Sequence, residues 1–179
     1  RGPLCGPVVA AAVILPCGIQ IEGLNDSKKL TEKKREKLYD IITEKALSYA
    51  ICEASPAEID EINILNASIE GMNISLKNLS TTPEFVIIDG NRFHTDLSTP
   101  WRTIVKGDGK YANIAAASVL AKTHRDEYMM RIAEEYPMYG WAKNKGYPTR
   151  EHRIAVREYG LSPYHRKSFN ISPEQLELF

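Results

Sequence analysis

The chain has 179 residues, of which 43% are hydrophobic and 26% charged, and its 23 Lys/Arg are balanced by 23 Asp/Glu. That composition excludes a disordered chain and fits about one compact domain, with room for no more than a small appendage. Zero net charge argues against indiscriminate nucleic-acid binding, and no apolar run approaches the roughly 20 residues needed to span a bilayer.

Residues 7–16 are almost wholly apolar, small or β-branched, which predicts a strand buried on both faces or packed beneath helices. Thr31 is placed to cap a helix over 31–47, with Glu32 in its first turn and apolar positions at Leu38, Ile41, Ile42 and Leu47. Ser48–Ala54 reads as a short strand. Ser55-Pro56-Ala57-Glu58 combines a capping box with proline at the first helical position, opening a helical region with a break near Asn63.

Phe85 to Ile88 is a short apolar run ending in Asp89-Gly90, the pattern of a strand entering a turn. Trp101 to Val105 is a second such strand, ending at Lys106-Gly107-Asp108-Gly109. Ala112 to Glu135 has helical spacing, and Ala115-Ala116-Ala117-Ser118 permits close approach to a sheet. Thr149 caps a helix running toward Tyr159, and Ser172-Pro173-Glu174-Gln175 opens a terminal helix. The order of elements predicts one α/β core.

Cys5, Cys17 and Cys52 have neither disulfide-framework nor zinc-site spacing, so a reducing, cytoplasmic setting is expected. His94, His152 and His165 also lack zinc-motif spacing. His124-Arg125-Asp126 is not a kinase catalytic loop, because Arg131 stands where asparagine is needed.

Two acids stand out. Asp89 ends an apolar strand, and Asp108 lies nineteen positions later in a glycine-flanked turn after another strand. Carboxylates are hard donors suited to Mg²⁺ or Mn²⁺, although each residue type is also common in turns and caps, and two acids are too few for a two-metal site. Residues 101–169 carry 13 Lys/Arg against 7 Asp/Glu. Within that stretch, Lys143-Asn144-Lys145-Gly146-Tyr147 and Tyr164-His165-Arg166-Lys167 mix cations, amides and aromatics. Such mixtures suit phosphate contact and stacking, and they also occur on ordinary solvated surfaces.

The ordered set becomes specific when taken together. Arg1-Gly2-Pro3-Leu4-Cys5-Gly6-Pro7-Val8, Asn25-Asp26-Ser27-Lys28-Lys29-Leu30, Ile88-Asp89-Gly90 and Lys106-Gly107-Asp108 resemble ribonuclease HII motifs. The resemblance continues through Ala115 to Lys122 with Arg125-Asp126, Asn144 to Thr149 with His152, and His165 to Phe169. It implies a ribonuclease H-like mixed β-sheet flanked by helices, with a small helical C-terminal segment. It also implies a catalytic core over residues 1–136 and a basic substrate-binding segment over 137–179.

The same resemblance implies a monomeric endonuclease acting on RNA/DNA hybrids and on DNA duplexes containing ribonucleotides, cutting 5′ of a ribonucleotide with two Mg²⁺ or Mn²⁺ ions. Of the family's four catalytic acids, Asp89 and Asp108 match the third and fourth; the family pattern places the first two, an Asp-Glu pair, a few residues before Arg1. Weak or no cleavage is therefore expected of residues 1–179 alone, with an inactive hybrid-binding module as the alternative. Arg1 and Gly2 match the end of a Gly-Arg-Gly loop that contacts the ribonucleotide, and Tyr147 matches a tyrosine that stacks near the junction sugar and senses its 2′-hydroxyl. Without that resemblance Gly2 is a turn glycine, Arg1 a terminal charge and Tyr147 an ordinary aromatic. Lys106, Ser118, Lys122, Arg125, Lys145 and Arg166 are expected to position phosphates, although Ser118 can instead satisfy a helix carbonyl and long cations commonly lie on exposed faces.

Overall fold

The computed structural model describes residues 2–25, 27 and 30–170, so Arg1 and the expected helix from Ser172 lie outside the described residues. Strand β1 (Val8–Ile14) is followed by helix α1 (Glu32–Lys45), β2 (Ser48–Ala54), α2 (Pro56–Lys77), β3 (Val86–Asp89) and β4 (Trp101–Ile104). Helices α3 (Ala112–Glu135), α4 (Trp141–Asn144) and α5 (Arg150–Tyr159) complete the described chain, with single 3₁₀ turns at Gly107–Gly109 and Pro137–Tyr139.

Local chemistry explains the helix ends. Thr31 Oγ1 accepts from Lys34 N at the start of α1, and Thr149 Oγ1 accepts from His152 N at the start of α5. Ser55 and Glu58 close the anticipated capping box: Glu58 N donates to Ser55 Oγ, and Ser55 N donates to Glu58 Oε2. The break in α2 falls at Asn63 (φ 65°, ψ 161°), whose Oδ1 accepts from Leu65 N and Asn66 N and so restarts the helix. Helix α1 ends at Lys45, two residues before the expected end. Ala46 is already extended, and Leu47 N donates to Ile14 O, because sheet pairing takes over the backbone there.

Among the described residues the strands pair as β1–β2 and β3–β4. The first pair brings the start of β2 against the end of β1, as antiparallel strands do. The second is parallel, with Val86 opposite Trp101 and Asp89 opposite Ile104. The architecture is thus a mixed α/β fold, with antiparallel and parallel strands flanked by helices and a helical segment toward the C-terminus.

The chain divides into two compact units that interleave in sequence. One comprises Arg1–Val8, Ala54–Ala67 and Arg125–Phe179, and the other Val9–Glu53 and Ser68–His124. The segment expected to begin at residue 137 therefore shares its unit with the chain start and the second half of α3.

In the second unit, Leu15 packs with Leu38 and Ile42 of α1 and Ala116, Val119 and Leu120 of α3, with Ala11 and Val13 alongside. Strand β1 is thereby packed beneath helices, although most of its residues are only half-buried. The first unit has an aromatic core in which Cys5, Met129, Ile132, Tyr139 and Trp141 are buried against Tyr128, Tyr136 and Tyr164. Its Tyr139 and Trp141 rings stack at 4.8 Å.

Candidate active site and substrate-reading loop

Parallel pairing of β3 and β4 carries both chains toward the same sheet end, which is where the two singled-out acids lie. Asp89 is the last residue of β3, and its Oδ1 accepts the backbone N–H of Gly107 at 2.8 Å. That bond ties the Asp89 carboxylate to the amide of the residue directly before Asp108. Gly107 can make the approach because it has no side chain: a Cβ there would lie 2.5 Å from Ile114 Cδ1. Asp89 is exposed, whereas Asp108 is 6% exposed within the 3₁₀ turn. Lys106, just before the turn, is exposed and held in the left-handed conformation (φ 56°, ψ 44°), a strained choice for a lysine.

This arrangement places two hard oxygen donors on adjoining backbone. Among the described residues no group of three or more His, Cys, Asp or Glu side chains gathers as a metal centre. Carboxylate oxygens are the hard donors that Mg²⁺ and Mn²⁺ take, and two carboxylates are fewer than a complete ligand set.

Of the other substrate-facing expectations, Gly2, Arg125, Lys145, Tyr147 and Arg166 fall in the first unit. Leu4 N donates to Gly146 O, Gly6 N to Tyr164 O and Arg166 N to Leu4 O, so the loop of residues 3–7 is stitched both to the 144–147 turn and to the 164–166 segment. A Cβ on Gly2 would lie 3.9 Å from Tyr147 Cε1, so the structure brings together these two sequence-distant candidates. Tyr147 is 46% exposed and available for stacking.

Arg125 and Arg166 occupy different positions from the surface cations the sequence suggests. Arg125 Nε, Nη1 and Nη2 donate to the carbonyls of Pro7, Lys145 and Cys5 at 3.2, 3.0 and 3.0 Å. Arg166 Nε, Nη1 and Nη2 donate to Gly6, Pro3 and Pro7 at 3.0, 2.9 and 3.1 Å. Both residues are buried, and their planar forks shape the loop from behind. Burial, and next the neighbouring Arg125 cation, lower the Arg166 pKa to about 10, which leaves it charged at neutral pH. Burial likewise raises the Cys5 thiol to about 12, so Cys5 acts as a packing group.

Lys145 is half-buried, takes the left-handed conformation (φ 48°) and uses its carbonyl to receive Arg125. In the second unit, Lys122 is half-buried on α3. Ser118 on the same helix shares a 2.8 Å hydrogen bond with Ser27 Oγ. Its observed partner is thus another side chain, and neither a helix carbonyl nor a phosphate is needed to explain its placement.

Sequence reasoning missed several supports. Asn144 Oδ1 accepts from Gly146 N, and its Nδ2 donates to Tyr139 O, shaping the turn before Tyr147. His152 and His165 form a buried pair beneath that turn. Their burial in an otherwise charged segment left no periodic signal.

A family profile described as ribonuclease HII matches residues 1–172. The chain belongs to the ribonuclease HII family. It is similar to the ribonuclease HII of Parabacteroides distasonis, with 56% identity over 178 residues covering 99% of this chain and 89% of that one. Similarity to the Bacteroides thetaiotaomicron ribonuclease HII is also 56%, over 171 residues covering 96% and 86%. Among solved structures it resembles the ribonuclease H2 of Pyrococcus horikoshii OT3, with TM-score 0.79, 27% identity and coverage of 99% and 93%. Membership in the ribonuclease HII family supports hydrolytic nuclease chemistry at the level of the family.

Proposed function

We propose that this chain belongs to a divalent-metal-dependent endoribonuclease that cuts RNA in RNA/DNA hybrids and on the 5′ side of ribonucleotides embedded in duplex DNA. The observation that carries this reading is the bond from Gly107 N to Asp89 Oδ1, which sets one strand-end carboxylate beside the turn bearing the other. Asp89 and Asp108 would hold Mg²⁺ or Mn²⁺ as two of the ligands. The ion supplies activation of water and neutralisation of the leaving oxygen.

The protein's own groups provide the rest. Tyr147 offers a ring to the junction sugar, where a 2′-hydroxyl separates RNA from DNA, and Gly2 leaves space beside that ring for backbone approach. Lys106 presents a cation beside Asp108, Lys122 and Lys145 are further candidates for phosphate contact, and Ser118 is the remaining candidate. Arg125 and Arg166 act through the loop carbonyls they hold. The free thiols of Cys5, Cys17 and Cys52 support a reducing, cytoplasmic setting, and the family resemblance supports a monomer. Among the described residues no helix is long and apolar enough to cross a membrane.

The alternative reading is an RNA/DNA hybrid-binding module whose turnover is weak or absent. The test compares this chain with a version extended upstream by the family's Asp-Glu pair, on a duplex carrying one ribonucleotide, with Mg²⁺ and with Mn²⁺. The extended protein is expected to cut 5′ of the ribonucleotide, and Asp89→Asn or Asp108→Asn to remove turnover while leaving binding. Equal cutting of a ribonucleotide-free duplex overturns the substrate assignment; tight hybrid binding without turnover in the extended protein establishes the binding-module alternative.

A further inference from the structure

His152 and His165 are 0% and 1% exposed, and neither belongs to the carboxylate pair or to the side chains assigned to substrate. Their hydrogen bonds can be assigned by counting donors. Tyr147 O can only accept, so His152 Nδ1, 2.9 Å away, carries the proton and donates to it. Trp141 Nε1 can only donate, and it points to His152 Nε2 at 3.0 Å, which requires that nitrogen to be an acceptor. Ser162 N can only donate, to His165 Nδ1 at 3.0 Å, so neutral His165 carries its proton on Nε2. That Nε2–H then points to His152 Nε2 at 3.1 Å. Two donors converge on one lone pair, and every assignment agrees with the others.

The chain of bonds ends on the backbone of Tyr147. The ring of that residue is exposed, so its direction depends on how its peptide is held. Tyr147 N donates to Asn144 O, while Tyr147 O receives both Thr149 N and His152 Nδ1. Pro148 between them has no N–H to add. His152 is therefore the buried side chain that fixes the Tyr147 carbonyl.

We infer that His152 is a positioning residue for ribonucleotide selection, acting through the Tyr147 carbonyl, with Trp141 and His165 holding it in the Nδ1–H tautomer. This rests on the reading of Tyr147 as the group that senses the junction sugar. The linkage sets the ring before substrate arrives, so selection does not spend binding free energy on ordering the turn.

The test measures affinity for a DNA duplex with one ribonucleotide and for the same duplex without it, the ratio being the ribonucleotide preference. His152→Gln puts an acceptor near the former Nε2 and loses the donor to Tyr147; the preference is expected to fall about fivefold, the scale of one hydrogen bond. His152→Asn keeps an amide donor near the former Nδ1 and is expected to hold the preference within about twofold of wild type. Tyr147→Ala is expected to lose the preference. If Tyr147→Ala retains it, the reading of Tyr147 itself fails; if Tyr147→Ala loses it and His152→Gln keeps it, the positioning role alone fails. In the wild-type chain, ¹⁵N spectra at neutral pH are expected to show His152 protonated on Nδ1 and His165 on Nε2. A proton on His152 Nε2 overturns the inference even where a variant does not fold.

Discussion

Gly146→Ala probes the joint between the 3–7 loop and the Tyr147 turn. Gly146 has φ 82°, and a Cβ built there lies 2.7 Å from Cys5 Sγ, 3.0 Å from Cys5 O and 3.2 Å from Met129 Cε. The left-handed backbone costs an alanine about 1 kcal/mol. Crowding a packed core adds about 1–3 kcal/mol, and little relief is available. Cys5 and Met129 are fully buried, and Cys5 O is held by Arg125 Nη2, so the backbone oxygen cannot withdraw without breaking that bond. The expected loss is about 2–4 kcal/mol, against about 1 kcal/mol for Gly23→Ala, where φ is 77° and nothing lies within 4 Å. Equilibrium urea unfolding measures both, with an unchanged m-value showing that the folded and unfolded states have kept their compactness. Cys5→Ala in the Gly146→Ala background removes the sulfur contact but leaves Cys5 O, so a double-mutant cycle is expected to recover only part of the loss. A Gly146→Ala cost within about 0.5 kcal/mol of the Gly23→Ala cost refutes the account of a rigid joint.

Acid should weaken the chain through its histidine pair. Burial, followed by the neighbouring His152, lowers the His165 pKa from 6.5 to about 4, and burial lowers that of His152. The unfolded state then binds more protons, so stability is fully present above about pH 6.5 and declines as pH falls toward 4, by about 3 kcal/mol at most from His165. Urea midpoints at pH 7 and pH 4.5 check this; equal pH dependence in wild type and His152→Asn removes the pair as its cause. Arg166→Lys replaces a three-way fork with one ammonium and leaves loop carbonyls unmet, for an expected loss of about 2–4 kcal/mol. Hydrogen exchange should show faster opening of residues 3–7, and unchanged protection counts against the clamp. Ser118→Ala breaks the contact with Ser27 at an expected cost of about 1 kcal/mol, read by thermal unfolding together with hybrid affinity. A large affinity loss with unchanged stability would instead make Ser118 a direct substrate contact.

The family motifs and the local punctuation were legible residue by residue. Caps at Thr31, Ser55 and Thr149, the break at Asn63 and the strand end at Asp89 depend on neighbours within a few positions, and such preferences survive in any tertiary setting. Even there, the final residues of α1 were lost to sheet pairing, because a strand partner outbid helical spacing at Ala46 and Leu47.

What only the tertiary structure decided is where the long polar side chains spend their hydrogen bonds. Arg166 reaches carbonyls about 160 positions earlier, Ser118 meets Ser27 across 91, and His152 meets His165 in a buried pair. Nothing in the local pattern separates an arginine that faces phosphate from one that holds a loop, since both need the same fork and the same charge. Burial makes the choice: once water is excluded, each donor must find a carbonyl, and the fold determines which carbonyls lie within reach.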